Sequence, residues 1–133
     1  MTALAADRNT PRRDGVRFRH PLAAGVRTFA GGIAVLDASG NVKPAATATG
    51  LIAAGIFTEA VDNRSGQAGD LSVNVEKGIF GFASDGSLTR AHIGHDVFLV
   101  DDQTVAATDG SGTRSTAGRL SDFDGTTAFV HFA

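Results

Sequence analysis

The feature that most limits the fold is punctuation. Short apolar runs alternate with turn signals in which Gly stands beside Asp, Ser or Asn. In "GGIAVLDASGNVKPA" the run Ala38-Ser39-Gly40-Asn41 separates two strand-like pieces, which is a hairpin signal, and similar breaks recur at Asp85-Gly86, Asp109-Gly110-Ser111-Gly112 and Asp124-Gly125. An amphipathic helix needs an unbroken stretch of 3.6-residue periodicity, and no segment supplies a convincing one. Seventeen of the 133 residues are Gly and only three are Pro. Because 42% of the chain is hydrophobic, the glycines divide strands and do not signal disorder. The pattern predicts an all-β fold, a small sandwich or barrel-like module of short strands with an extended N-terminal arm.

Two segments sharpen that expectation. In "GDLSVNVEKGIFGFAS", Leu71, Val73 and Val75 share one face and Ser72, Asn74 and Glu76 the other, until apolar parity flips after Lys77-Gly78 and Phe80 and Phe82 carry the apolar face. A turn or a bulge at Gly78 is therefore expected. The C-terminal "TTAFVHFA" is apolar on both parities and reads as a central strand covered on both sides, so that the chain ends inside its sheet.

The length suits one domain that buries roughly 65–70% of its unfolded surface and needs no covalent staple. There is no Cys, which removes disulfides, zinc ribbons, iron–sulfur ligation and thiol nucleophiles together and suits a reducing cytoplasm. "MTALAADRNTPRRDG" has no continuous apolar core of a signal peptide, and "GLIAAGIF" is far shorter than a membrane span, so neither secretion nor a membrane partner is expected. All nine aromatics are Phe; without Trp or Tyr the chain lacks the amphipathic rings common in sugar-binding and small-molecule sites.

Charge divides the chain. Residues 1–27 hold six Arg and two Asp, a balance of +4, while residues 28–133 hold six basic and twelve acidic residues, a balance of −6. Residues 1–20 have neither strand nor helix periodicity, and Pro11 and Pro21 interrupt any helix. They are read as an extended, mobile basic arm preceding a β-rich domain at 21–133, with only Val16-Arg17-Phe18-Arg19 alternating as an edge strand would. Arg8, Arg12, Arg13, Arg17 and Arg19 are the candidate contact residues of that arm. Such an arm suits either nucleic acid or an acidic protein surface, and the acidic body argues against direct nucleic-acid binding.

The densest group of reactive side chains is "RAHIGHDVFLVDD", with His92, His95, Asp96, Asp101 and Asp102. A metal site of His92, His95 and Asp96 requires the two imidazoles to converge. A spacing of three allows that on a helix and forbids it on a strand; Gly94 and the strand-like "DVFLV" leave room only for a short helical turn, with no third ligand at motif spacing. Asp101-Asp102 and "SDFDG" at 121–125 are read as turns. "DGSGTRSTAGR" has glycines and hydroxyls suited to an anion but lacks the P-loop spacing and lysine, and no G-x-S-x-G elbow exists. Asn63-Arg64-Ser65 is read as a polar loop. These readings favour a non-enzymatic structural or binding protein with no cofactor and no metal. A small metal-dependent hydrolase and a nucleic-acid-binding module acting through the arm are the alternatives.

The order of "AGGIAVLDASGNVKPA", "GLIAAGIFTEAVDNRSGQAGDLSVNVEKGIFGF", "IGHDVFLVDDQTVA" and "AGRLSDFDGTTAFVHF" resembles that of the capsid decoration, or cement, proteins of tailed bacteriophages. The shared pattern is a Gly-marked hairpin, a Gly-Ile-Phe strand after a charged strand, an Ile-Gly turn before an aromatic strand and an Ala-Gly-Arg/Lys strand near the end. Phe98 stands where that family more often has Tyr, and the Arg-rich start departs from it. The resemblance implies a β-rich module, commonly a homotrimer, that binds the outer surface of the expanded phage head. It would stabilise contacts between major capsid protein subunits, carry no catalytic residues, and be located in the virion after assembly in the bacterial host cytoplasm.

Overall fold

Ten short strands and one 3₁₀ turn make up the regular structure of the computed structural model, which describes residues 2–133. The strands are β1 (Arg17–Pro21), β2 (Ile33–Leu36), β3 (Val42–Pro44), β4 (Ile52–Phe57), β5 (Ser72–Glu76), β6 (Gly78–Ser84), β7 (Asp96–Leu99), β8 (Thr104–Ala106), β9 (Thr116–Phe123) and β10 (Thr127–Phe132); the 3₁₀ turn is Arg90–His92. The all-β, barrel-like architecture expected from the turn spacing is the one that forms.

The first five strands build an antiparallel sheet in the order β1-β5-β4-β2-β3. It curls: Leu22, just past β1, bridges Val42 of β3 in the parallel sense, and the Ala23 N–H donates to the Val42 carbonyl at 2.9 Å. Leu22, Ala34, Val42, Ala54, Phe57, Val73 and Val75 fill the hollow of the curl. The other five strands close a barrel in the order β10-β6-β8-β7-β9, antiparallel except where β6 meets β8. Its interior holds Phe82, Val97, Leu99, Val105, Leu120, Val130 and Phe132, with the Phe82 and Phe132 rings edge to face at 5.9 Å.

The unit "IAVL" of β2 is apolar without alternation because both faces are used. Ala34 points into the curled sheet, while Ile33 and Val35 belong to the barrel core, joined by half-buried Ala53 and Ile56 of β4. The first sheet thus lies between two cores, and each fully buried Val, Leu or Ile contributes roughly 1.5–3 kcal/mol.

Local signals account for the connections. The Asp37 carboxylate accepts the N–H groups of Ser39 and Asn41 at 2.9 and 3.0 Å, and the Gly40 N–H returns to the Asp37 carbonyl at 3.0 Å, closing the predicted hairpin between β2 and β3. The parity flip at Lys77-Gly78 marks where the chain leaves the first sheet as β5 and enters the barrel as β6. At Gly55 the β2–β4 register shifts; a side chain there would collide with the Glu76 carbonyl of β5.

Three expectations change in detail. The edge strand foreseen at 16–19 exists but pairs within its own chain, Phe18 opposite Val75 and His20 opposite Val73, so residues 17–20 belong to the sheet and the exposed segment ends near Val16. The C-terminal strand is central, between β6 and β9, and the chain does end in its sheet, but its coverage is one-sided: Ala128, Val130 and Phe132 are buried, Phe129 is half-buried and His131 is exposed, as a barrel wall requires. "SDFDG" is mostly strand, since β9 runs through Phe123 and only Asp124-Gly125-Thr126 turns; the Asp124 carboxylate accepts the N–H groups of Thr126 and Thr127 at 2.8 and 2.7 Å.

Candidate functional site

Residues 2–15 are exposed and lie outside every strand. The five candidate arginines divide there into two groups. Arg8 donates only to the neighbouring Thr10 hydroxyl at 3.1 Å, and Arg12 and Arg13 join no ion pair among the described residues. Arg17 and Arg19 are instead strand residues. Arg17 lies 3.4 Å from Asp14, and Arg19 lies 3.6 Å from Glu59 and donates to the Ser72 carbonyl at 3.4 Å. Such exposed pairs are each worth at most about 1 kcal/mol. Asp14 marks the junction: its carboxylate accepts the N–H groups of Arg17 and Val16, both at 3.0 Å, and these bonds hold its pKa below the usual carboxylate value. The arm therefore presents three guanidinium groups away from the acids of its own body.

His92 lies in the 3₁₀ turn, where its Nδ1 accepts the Thr89 N–H at 3.0 Å. The His95 carbonyl accepts the Leu120 N–H at 3.0 Å while the Gly94 N–H donates to the Leu120 carbonyl at 2.8 Å, and Asp96 opens β7 opposite Arg119. Arg90 ties this turn to β9, donating to the Phe123 carbonyl at 2.8 Å and meeting Asp122 at 3.3 Å. The stretch is a turn leading into a core strand, and among the described residues no three His, Asp or Glu side chains come together as a metal site. The Asp101-Asp102 turn connects β7 to β8, with the Asp101 carboxylate accepting the Gln103 N–H at 2.9 Å.

The glycine-rich loop at 109–114 is largely exposed and closes on itself. Gly110, Ser111 and Gly112 all have left-handed backbone angles, and the Asp109 carbonyl accepts the N–H groups of Thr113 and Arg114 at 2.9 Å each. Two amides that an anion would need are thus used by the loop itself.

Three buried polar side chains have structural roles that the sequence conceals. Asn63, 2% exposed, donates to the carbonyls of Ala23 and Gln67 at 3.0 and 3.1 Å and pins two long loops together. Thr28 donates to the Glu59 carbonyl and accepts from the Val61 N–H, at 3.0 and 2.9 Å. Ser115 donates to the Ala48 carbonyl at 2.7 Å and accepts from the Leu51 N–H at 3.1 Å. All three join segments distant in sequence, for which one chain carries no local signal.

Sequence reasoning also missed a groove where the two sheets meet. Phe29, Gly31, Gly32, Asp102 and Gln103 line one end, and Gly81, Phe82 and Thr127 continue it onto the barrel. Phe29 is 54% exposed, with the Arg27 guanidinium 4.8 Å from its ring centre. Large exposed aromatics beside a concave surface mark contact sites more often than scattered exposed aliphatics do.

Comparison with protein-family models, with curated proteins and with solved structures finds no match to this chain.

Proposed function

We propose that the chain is a non-enzymatic decoration protein of a tailed-phage capsid, which binds the outer surface of the expanded head and stabilises contacts between major capsid protein subunits. The observation that carries this reading is the combination of a rigid two-core β body with an exposed arm whose Arg8, Arg12 and Arg13 lack acidic partners among the described residues. An extended arm ordered only on contact wraps more surface than a rigid body of equal size, and guanidinium groups suit carboxylates on the surface they meet. The ordered sequence motifs supply the choice of capsid as partner. In this reading the protein acts as a homotrimer on the virion exterior after assembly in the host cytoplasm, with no cofactor.

The test is to mix the purified protein with undecorated expanded heads built from the major capsid protein of its own phage. Sedimentation should carry the protein down with the heads, and the heads should resist a higher temperature before releasing their DNA. Absence of binding, or binding with no gain in heat resistance, overturns the proposal.

A further inference from the structure

We propose that the groove between the two sheets receives the N-terminal arm of a second copy of this chain, with Arg12 or Arg13 paired to Asp102. This deepens the reading of residues 2–15 as a docking arm by naming the surface it meets.

Four observations converge on an extended, basic occupant. Asp102 is half-buried on the groove wall, and among the described residues its carboxylate accepts no hydrogen bond and joins no ion pair. A partly desolvated charge without a partner is costly, and a guanidinium from outside offsets that cost. Phe29 beside it already carries the Arg27 guanidinium over one face, and the half-exposed ring has a second face of the kind on which guanidinium groups stack. Gly31, shared by both ends of the groove, has open space where a side chain would stand, so an incoming backbone approaches closely there. Finally, the seam between β6 and β8 is short within the closed barrel. The Ala83 N–H bonds the Gln103 carbonyl on the β8 side, so by strand alternation Gly81 and Ile79 also turn their N–H and C=O groups away from β10, while β8 pairs only with Ala83 and Ser84. An extended segment extends such a short seam by strand addition.

Charge complementarity identifies the occupant. The body from residue 28 onward carries twice as many acidic as basic residues, and the free guanidinium groups of Arg12 and Arg13 lie on a segment that is exposed throughout. Neighbours on an extended chain point to opposite sides, so whichever face of the arm meets the groove, one of the two reaches toward Asp102.

Complementary full-length variants test the contact in the absence of heads. Wild-type chain should self-associate in sedimentation velocity. Arg12→Asp/Arg13→Asp in one variant and Asp102→Lys in another should each weaken association at least about tenfold, because each places like charges together. Mixing the two variants should restore association in part, because in a ring of three the acidic arm of one then meets the introduced ammonium of another while a basic arm meets Asp102, and one like-charged junction remains. Circular dichroism of each variant checks that the fold is retained. A wild-type chain that stays monomeric, a variant that associates like wild type, or a mixture that stays dissociated while both variants are folded overturns the proposal. So does restoration only when all three substitutions share one chain, which would place the arm in its own groove. Head binding is read separately, so its failure with the variant pair still associating would remove the capsid role and leave this contact standing.

Discussion

Gly55 shows how a single residue can be fixed by its surroundings. Its φ is +130°, and a Cβ there would collide with the Glu76 carbonyl across the sheet. Gly40, at φ +80°, has open space around its missing side chain. Gly40→Ala should therefore cost only the left-handed backbone penalty, about 1–2 kcal/mol. Gly55→Ala must add a displaced strand to a comparable strain, and urea denaturation should show a loss at least about twofold larger. Asn63→Ala is expected to cost about 1–3 kcal/mol in the same measurement, because it leaves two carbonyls without their donor in a buried site. A loss under about 0.5 kcal/mol, the range of an ordinary surface change, would contradict the role given to Asn63. In the sequence this residue is one polar letter of "DNRSGQ"; the carbonyl of Ala23, forty positions away, gives it its importance.

At the scale of elements, what was legible depended on whether the cause was local. The β2–β3 hairpin was readable because Asp37 and Gly40 make its turn within five residues. The break at Gly78 was readable as a parity flip, although parity does not say that the chain changes sheets there. The parallel β6–β8 pairing was not readable, since it depends on which distant edge accepts β8 after the 3₁₀ turn and β7 have intervened. β1 illustrates the intermediate case: its alternation was visible and its partner was not. That strand also carries a pH response. His20 stacks on Phe18 with ring centres 6.2 Å apart, opposite Val73; burial, aided by the nearby Lys77 ammonium, lowers its pKa below the ordinary 6.5. The folded state favours neutral His20 and the unfolded chain protonates first. The stability this contributes is full above 6.5, declines as pH falls below it, and is lost once pH passes the lowered folded value. Exchange of the Phe18 and His20 amides, corrected for intrinsic rate, should accelerate across that interval, and His20→Gln should remove the change. An unchanged pH profile in the variant would assign the effect to another group.

For the whole molecule, composition conveyed the class and withheld the plan. Turn spacing limited the chain to short strands, yet nothing in it distinguishes one sandwich from a curled sheet set beside a closed barrel. That division arises because β2 and β4 present apolar groups on both faces, Ala34 and Ala54 to one core and Ile33, Val35, Ala53 and Ile56 to the other. The candidate site was legible in the same partial way: the excess of Arg near the start was plain, but its separation into a free group and a strand-bound group required the β1–β5 register. This separation fixes where the arm can be cut. Deleting residues 1–13 removes Arg8, Arg12 and Arg13 and leaves Asp14 to cap β1, so thermal unfolding should shift by no more than a neutral surface change would, about 0.5 kcal/mol. Deleting residues 1–16 also takes away the Asp14 carboxylate and the Val16 carbonyl that accepts the Lys77 N–H at 2.8 Å. It should cost about 1–2 kcal/mol more, since several exposed bonds at one strand end are lost together. Both truncations should lose head binding to the same extent, because the free arginines are missing from each. Binding retained by the shorter truncation would transfer the contact from the arm to the body, and equal stability of the two would show that Asp14 does not hold the strand end.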